Sequence, residues 1–387
     1  MSILTLNKSD NISLILKGDL KMRLLLTIII LLSLKLVAND LNTCKGCHPI
    51  ISSEFQQSMH KKSTIREDKV HKAVWDKHPA KAKGKYKCAK CHTPQSKKAE
   101  TNTGITCLSC HTIKSIEKHP KSNKNIYETK DKTFYSAEKG MEDKKVIYKE
   151  KSSWLGFITK TTGSPYHTID YREDIFYTGK VCMGCHSHKQ NGKGFSVCKT
   201  DMKGAEDKKS NCITCHMPKV KGSATNIRVS DKHAFHGFAG VRNAPKLLSK
   251  YIDIDYKKLD NSFDIIVHNK APHNLLTHPL RVVELKTTLK RDGKEEELKS
   301  YKFMKIIGTD NKPSMPWLAT QIIKDNMIKA NEKRILLFDK KLQKGDEIES
   351  ILGFYIVNPK AVKKLGLEND KSLSEFVPIK RGYFKVK

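Results

Sequence analysis

Apolar positions follow three different patterns along the chain. Near the N-terminus Arg23 precedes an apolar run from Leu24 to Leu34, and Leu36-Val37-Ala38 follows before Asn39. A basic start, a short apolar core and small residues at a cleavage point are the marks of a secretory signal, so 1–38 is expected to direct export to the periplasm. The run falls short of the ~20 residues that span a bilayer, and Lys35 ends it. An uncleaved anchor on the periplasmic face of the inner membrane is the alternative. Met22 reads as the natural start, because 1–21 is polar and unlike a signal's basic region.

From Asn39 to about Pro245 apolar residues are scattered, which predicts short helices and loops rather than a layered core. From about Lys246 to Lys387 they gather into short β-branched and aromatic runs: Phe263 to Val267, Leu280 to Leu285, Tyr301 to Ile307, Ile335 to Phe338 and Ile351 to Val357. Turn residues punctuate these runs, and Asp292-Gly293 is a hairpin signal. The pattern predicts an all-β, sandwich-like unit of about seven strands over 246–387. One amphipathic helix is expected from Trp317 to Ala330, with Trp317, Ile322 or Ile323 and Met327 near one face.

Cysteine changes the picture. The chain has 11 Cys and 16 His. Ten of the cysteines form five copies of C-x-x-C-H. The pairs are Cys44 with Cys47, Cys88 with Cys91, Cys107 with Cys110, Cys182 with Cys185, and Cys212 with Cys215. This spacing attaches haem c. Two thiols add to the two vinyl groups of one haem, and the next residue, His48, His92, His111, His186 or His216, offers its imidazole to the iron. Paired C-x-x-C units also build zinc sites, but zinc does not require His after the second Cys five times over. Five covalent haems are expected, so 39–245 is predicted to be an α and irregular multihaem cytochrome c unit, with short helices and loops around haems that serve as its core. Cys198 is left over. It reads as a buried structural thiol, an axial ligand or a redox-active group. The spacer from Thr112 to Val181, with Tyr127, Phe134, Tyr148, Trp154 and Phe157, is expected to form loops or a small hairpin.

The formal charge is +32, from 73 Lys and Arg against 41 Asp and Glu. Such a surface attracts anions and acidic redox partners, and it also reads as plain solvated surface. The lysines are spread along the chain, and nucleic acid is not an expected partner of an exported haem protein. Expected partners are acidic or membrane-bound redox proteins, with a small inorganic anion in addition.

The sixth iron ligand decides function, and eleven histidines stand outside the motifs: His60, His71, His78, His119, His167, His188, His233, His236, His268, His273 and His278. The segment Thr43 to Val241 resembles the cytochrome c-552/4 (c-554 and c-prime) family. The likeness rests on Cys44 to Pro49 followed by Ser58-Met59-His60, on Gly104 to Cys107, on Ser164-Pro165-Tyr166-His167 before Cys182, on Phe195 to Thr200, on Cys212 to Pro218, and on His233-Ala234-Phe235-His236-Gly237. Asn269 to Thr277 resembles the N-x-x-x-H-x-x-P-T stretch of β-domains joined to such cytochromes, with Leu276 in place of Pro. The resemblance implies distal ligands at His60, His167, one of His233 and His236, and His273, with His78 or His119 further down the order. The family's best-known member has four haems and this chain has five motifs; together they lead to the expectation of a periplasmic pentahaem carrier that moves electrons between respiratory partners. An oxidoreductase acting on a small nitrogen or sulfur compound at one open haem is the alternative, and a haem-bearing binding module is a third reading. No C-x-x-C-K occurs.

Overall fold

The computed structural model describes residues 41–94, 103–128, 132–152, 159–200, 206–275 and 278–387. The expected signal segment, Trp154, Phe157, Leu276 and Thr277 lie outside the described residues. Strands predominate. The helices are short, none among the described residues exceeding the nine residues of Pro49–Gln57.

Up to Tyr251 local chemistry makes the elements. Helix Pro49–Gln57 starts on a proline, whose missing N–H costs nothing in a first turn. The Asp68 carboxylate caps helix Lys69–Asp76 by accepting from the N–H groups of Val70 and His71. Strands come as small ladders. Ile113–Glu117 pairs with Lys124–Tyr127, His188–Gln190 with Ser196–Lys199, and Lys219–Lys221 with Lys232–Ala234. In the long spacer Lys149–Ser152 pairs with Thr159–Thr162, and both strands are exposed throughout. The two apolar clusters of the described residues draw mostly on residues beyond 251. The earlier pieces surround a cavity instead.

Beyond Tyr251 the chain builds antiparallel sheets. One has the order Ile252–Lys258, Phe263–Asn269, Lys333–Phe338. A second has the order Lys294–Glu297, Val282–Arg291, Glu347–Tyr355, Val377–Lys385, with Tyr301–Phe303 also paired to Val282–Arg291. Alternation decides what is buried. Phe263, Ile265 and Val267 point inward from one sheet, and Leu285, Leu289, Ile348 and Leu352 belong to the same core. Each is at most 1% exposed, and each such side chain contributes about 1.5–3 kcal/mol on leaving water. Phe263 stacks on Phe338 at 4.9 Å. The Asp292-Gly293 turn joins Val282–Arg291 to Lys294–Glu297, with both φ angles positive, at 49° and 75°. That is the conformation the dipeptide favours.

Three expectations need correction here. The helix from Trp317 to Ala330 does not form. Gln321–Asp325 is a strand paired with Lys305–Thr309. The β-branched pair Ile322-Ile323 favours extended backbone, and the Asn326 side chain pins the crossing by accepting from Met304 N–H at 2.9 Å and donating to the Lys302 carbonyl at 2.9 Å. The single run Tyr301 to Ile307 is two strands that join different sheets. Eleven strands lie beyond Tyr251 among the described residues, not about seven, because the polar strands Ile252–Lys258 and Lys294–Glu297 carry little apolar signal. A helix at Pro359–Leu365, capped by Asn358 and closed by Gly366 at φ 72°, also went unpredicted. It packs on Ala73, Val70 and Val74 of the early helix Lys69–Asp76, and Lys69 Nζ meets Asp370 at 2.7 Å.

Candidate functional site

Each C-x-x-C-H lies in or beside a single helical turn, and two of the turns carry their own capping box. Thr106 accepts from the Ser109 N–H, and the Ser109 hydroxyl accepts in return from the Thr106 N–H. Asn211 and Thr214 do the same around Cys212. The cap therefore sits just before the first Cys, and its partner just before the second, Cys110 or Cys215. That fixes a turn too short to be stable alone. Two cysteines three apart then share one face, with the histidine one position further on.

All ten motif cysteines and all five motif histidines line one connected cavity of ≈ 3900 Å³. Cys44 and Cys47 enter it beside His48, Cys88 and Cys91 beside His92, Cys107 and Cys110 beside His111, Cys182 and Cys185 beside His186, and Cys212 and Cys215 beside His216. Divided by five, the volume is about 780 Å³ per motif, within the range of cofactor sites. Thiols of different motifs face one another: Cys44 meets Cys107, Cys91 meets Cys185, and Cys182 meets Cys212. The Cys182 to His186 motif is thus the junction, touching two others. The remaining thiols are held within their own surroundings. Burial pushes Cys110 up to about 11, Cys215 is buried and meets Tyr251, and the Cys47 carbonyl accepts from the Asn226 N–H at 2.9 Å.

The histidines carry the decisive geometry. Two imidazoles on opposite sides of one iron, each with a bond of about 2 Å, place their ring centroids about 6 Å apart. Four motif histidines have such a partner. His48 faces His167 at 6.4 Å, His111 faces His236 at 6.3 Å, His186 faces His60 at 5.9 Å and His216 faces His273 at 6.1 Å. The ring planes are within 26° of parallel in the first, second and fourth pairs and near perpendicular, at 86°, in the third.

The hydrogen bonds of these rings set their tautomers. The Nδ1–H of His48 donates to the Ala224 carbonyl at 2.8 Å, that of His111 to Tyr135 at 2.7 Å, and that of His216 to Ala239 at 2.6 Å. His236 donates to Ala234 at 2.7 Å and His273 to Asn274 at 2.9 Å. A carbonyl can only accept, so Nδ1 holds the proton and Nε2 keeps the lone pair a metal needs. Burial, followed by the nearby imidazoles of His186, His92 and His216, holds His60 down to about 3. Burial and His111 hold His236 to about 4. Both rings are neutral at ordinary pH, as ligation requires.

Other predicted residues are placed differently. His233 has both ring nitrogens engaged, Nδ1 with the Gly222 carbonyl at 2.8 Å and Nε2 with Glu54 at 2.9 Å. It has no lone pair free for a metal, so of the pair only His236 is poised. Glu54 also accepts from the His236 backbone N–H at 2.8 Å and so links the two. In His78 and His119 the Nδ1 accepts from a backbone N–H, of Ala80 at 3.0 Å and of Lys121 at 3.2 Å. That is the opposite tautomer, and His78 lies against Trp75 and Trp317. Cys198 sits on the strand Ser196–Lys199, with its thiol pushed up by burial. His92, in the second motif, meets His71 at only 4.0 Å. Among the described residues no group of three His, Cys, Asp or Glu side chains converges to hold a lone metal ion.

No protein-family model matches the chain, and no curated protein matches it. Among solved structures, the penta-heme cytochrome c552 from Thermochromatium tepidum superposes with a TM-score of 0.65 at 22% identity, over 89% of this chain and 97% of that one. The two chains share a fold. The 89% span exceeds the motif-bearing part, so the multihaem cytochrome fold takes in C-terminal strands as well. A hypothetical protein from Pyrococcus horikoshii OT3 and a superoxide reductase in its oxidised state each cover 35% of this chain, with TM-scores of 0.18 and 0.19, and carry no argument.

Sequence reasoning missed Glu54 and left His71 unranked among the eleven histidines. Glu54 follows five residues after the Pro49 that opens its helix and carries no motif. His71 is marked only by the Asp68 cap before it.

Proposed function

We propose that this chain is a pentahaem c-type cytochrome that transfers electrons between redox partners outside the cytoplasmic membrane. The four opposed imidazole pairs carry this reading. The residues present fit five haem c groups: each Cys pair supplies two thioethers, and the motif histidines supply one axial ligand each. His167, His236, His60 and His273 supply the opposite ligand for the first, third, fourth and fifth motifs. When bound, the haems supply one-electron chemistry, and bis-His ligation sets it at low potential. The chain itself supplies rigidity, through the carbonyls that hold the Nδ1–H of His48, His92, His111, His216, His236 and His273 and the capping boxes that hold two of the turns.

The facing thiols bring the first and third, second and fourth, and fourth and fifth motifs edge to edge. Such contacts suit rapid passage between neighbouring haems, with the fourth linking the second to the fifth. The high positive charge favours encounter with acidic or membrane-bound partners, and the N-terminal apolar segment favours a periplasmic location. The experiment is intact mass with electron paramagnetic resonance on protein matured in a haem-attaching host. The expected mass exceeds the polypeptide by five haems, and His167→Ala converts one low-spin haem to high spin. Four or fewer haems, or an unchanged His167→Ala spectrum, refutes this assignment. A second reading, oxidation or reduction of a small compound at one open haem, is favoured by one observation: His92 has no opposed imidazole at ligation distance among the described residues.

A further inference from the structure

Side chains are distributed unevenly around the first motif. The loop 222–230 closes over it with polar groups turned inward. Its Ala224 carbonyl accepts from His48 Nδ1 at 2.8 Å, and its Asn226 N–H donates to the Cys47 carbonyl at 2.9 Å. Ser223 Oγ ties the loop together, donating to the Thr225 carbonyl at 2.7 Å and accepting from the Ser230 N–H at 3.0 Å. What the loop leaves outside is apolar: Ile227 is 64% exposed and Val229 80%. Ile50, 42% exposed, has its Cδ1 3.3 Å from where a Cβ on Gly222 would stand, at the start of the loop. Tyr166, 68% exposed, precedes His167, whose ring faces His48 at 6.4 Å. Tyr166, Ile227 and Val229 also border the cavity, so they stand at its mouth. Single exposed apolar residues are ordinary, but a cluster of four at the mouth of a site marks a contact surface.

The rim of this collar is cationic. Lys45, inside the motif, is exposed, and so are Lys221 and Lys232 on the ladder of Lys219–Lys221 with Lys232–Ala234 that carries the loop. Arg228 stands between Ile227 and Val229 with 75% of its side chain exposed, and it meets Glu138 at 3.6 Å. A pair so exposed contributes little, so Arg228 can exchange Glu138 for another carboxylate. Asp231 is the other exposed acid at the loop's base. Four cations thus stand against two carboxylates. Among the facing thiols the first motif meets only the third, so it ends its row of haem sites rather than lying within it.

We infer that this collar is where electrons enter or leave the protein, by transient docking of a small acidic redox protein. The partner's carboxylates meet the cationic rim, and an apolar spot on it covers Ile50, Tyr166, Ile227 and Val229 beside the first haem. This rests on the pentahaem carrier reading and gives that reading its contact surface. One electron crosses: the partner's centre is oxidised as the first haem is reduced, or the reverse, and no covalent bond forms or breaks. An anionic membrane would meet the same charges, but it brings no redox centre to the mouth of a haem site, so the protein is the occupant that the geometry favours. An apolar centre inside a charged rim suits a small, short-lived interface, in which charge sets the rate of encounter.

Fully reduced flavodoxin, a small acidic flavoprotein, is the probe. It is mixed without oxygen with the oxidised holoprotein, and haem absorbance is followed over a range of ionic strength. The second-order rate constant is expected to fall steeply with salt. Arg228→Glu with Lys232→Glu is expected to lower it at least tenfold at low salt and to flatten the salt dependence, and the milder Arg228→Gln with Lys232→Gln to lower it a few-fold. Ile227→Ser with Val229→Ser should lower it several-fold with the salt dependence kept. Lys341→Glu with Lys344→Glu makes the same change of net charge on two exposed lysines of the C-terminal unit, and is expected to lower it less than twofold. Equal losses in the rim and remote pairs overturn the inference, because net charge alone then suffices. So does a rate that neither rim pair changes. Vesicles of phosphatidylglycerol that sediment the native protein but not the Arg228→Glu, Lys232→Glu variant, with the flavodoxin rate the same in both, overturn it in favour of a membrane surface. A mass short of five haems, or haems that dithionite does not reduce, is a different result: it refutes the pentahaem carrier reading itself.

Discussion

Replacing Asn269 by alanine should loosen a histidine that lies four residues away. Asn269 ends the strand Phe263–Asn269 and is 0% exposed. Its amide makes three hydrogen bonds: Nδ2 donates to the His273 carbonyl at 2.9 Å and to the Lys329 carbonyl at 2.8 Å, and Oδ1 accepts from the Ala271 N–H at 3.1 Å. The loop carrying His273 is thereby tied at both ends, and His273 faces His216 at 6.1 Å. At about 1 kcal/mol net for each hydrogen bond, Asn269→Ala costs about 3 kcal/mol. For a unit of this size that lowers the melting temperature by roughly 6–12 °C. A loop displacement of about 1 Å also breaks a metal–nitrogen bond of about 2 Å, so one low-spin haem should turn high spin well below the melting point. The assay is thermal unfolding at fixed scan rate, with the spin state followed over the same temperatures. His273→Ala is the control, expected to give the high-spin haem at every temperature with a smaller loss of stability. An unshifted midpoint would show that the amide bonds contribute nothing. A lowered midpoint with the low-spin signal intact up to melting would show that Asn269 holds the sheet but not His273.

His273→Met should keep six ligands while raising that haem's potential by on the order of 150 mV, a fraction of the range axial ligands span; a redox titration showing no component moved upward refutes the His216–His273 assignment. Glu54→Ala removes the acceptor of both the His233 Nε2–H and the His236 N–H, which at about 1.5 kcal/mol for each bond to a charged group costs about 3 kcal/mol, and it should disturb the spin state of the third haem, whereas His233→Ala should leave every haem low spin that was so before. Gly179→Ala places a Cβ 2.5 Å from Cys212 Sγ and 3.0 Å from its backbone nitrogen, so the fourth and fifth motifs are forced apart, with a cost of about 1–3 kcal/mol and a lowered haem content by intact mass. Asp346 is held below the usual carboxylate value, first by its hydrogen bond from Arg291. A depressed folded value contributes stability above the unfolded value of about 3.9 that is lost as pH falls through the lower folded one, so denaturant midpoints should fall below about pH 4 and Asp346→Asn should flatten that fall.

The parts of the fold that the sequence made legible are those where local chemistry decides. Five C-x-x-C-H turns need no tertiary partner to be recognised, because the spacing itself is the requirement. Phe263, Ile265 and Val267 announce a strand because alternate positions are buried on one face only. Asp292-Gly293 announces its turn because few other residues tolerate positive φ twice in succession. The failures fall where a distant partner overrides the local signal. Ile322 and Ile323 fit a helical face as well as a strand, and only the edge offered by Lys305–Thr309 settles the choice. Val377–Lys385 mixes Pro378, Gly382 and charged residues, and becomes a strand because Glu347–Tyr355 lies beside it.

The axial histidines sharpen the same point, since a histidine's usefulness to a metal depends on which nitrogen keeps the lone pair. That is settled by the backbone group next to Nδ1. For His48 this is the carbonyl of Ala224, 176 positions away, for His92 that of Ser63, 29 away, and for His111 that of Tyr135, 24 away. A carbonyl frees Nε2 for iron. A backbone N–H, as at His78, His119 and His278, makes Nε2 a donor instead. His233 and His236 stand three positions apart in one stretch with nothing local to rank them. Glu54, 179 and 182 residues earlier, separates them by taking the ring of one and the backbone of the other. The order of histidines along the chain is therefore a poor guide to which iron each one serves. The opposed ring pairs are the better guide, and they become visible only once the chain is folded.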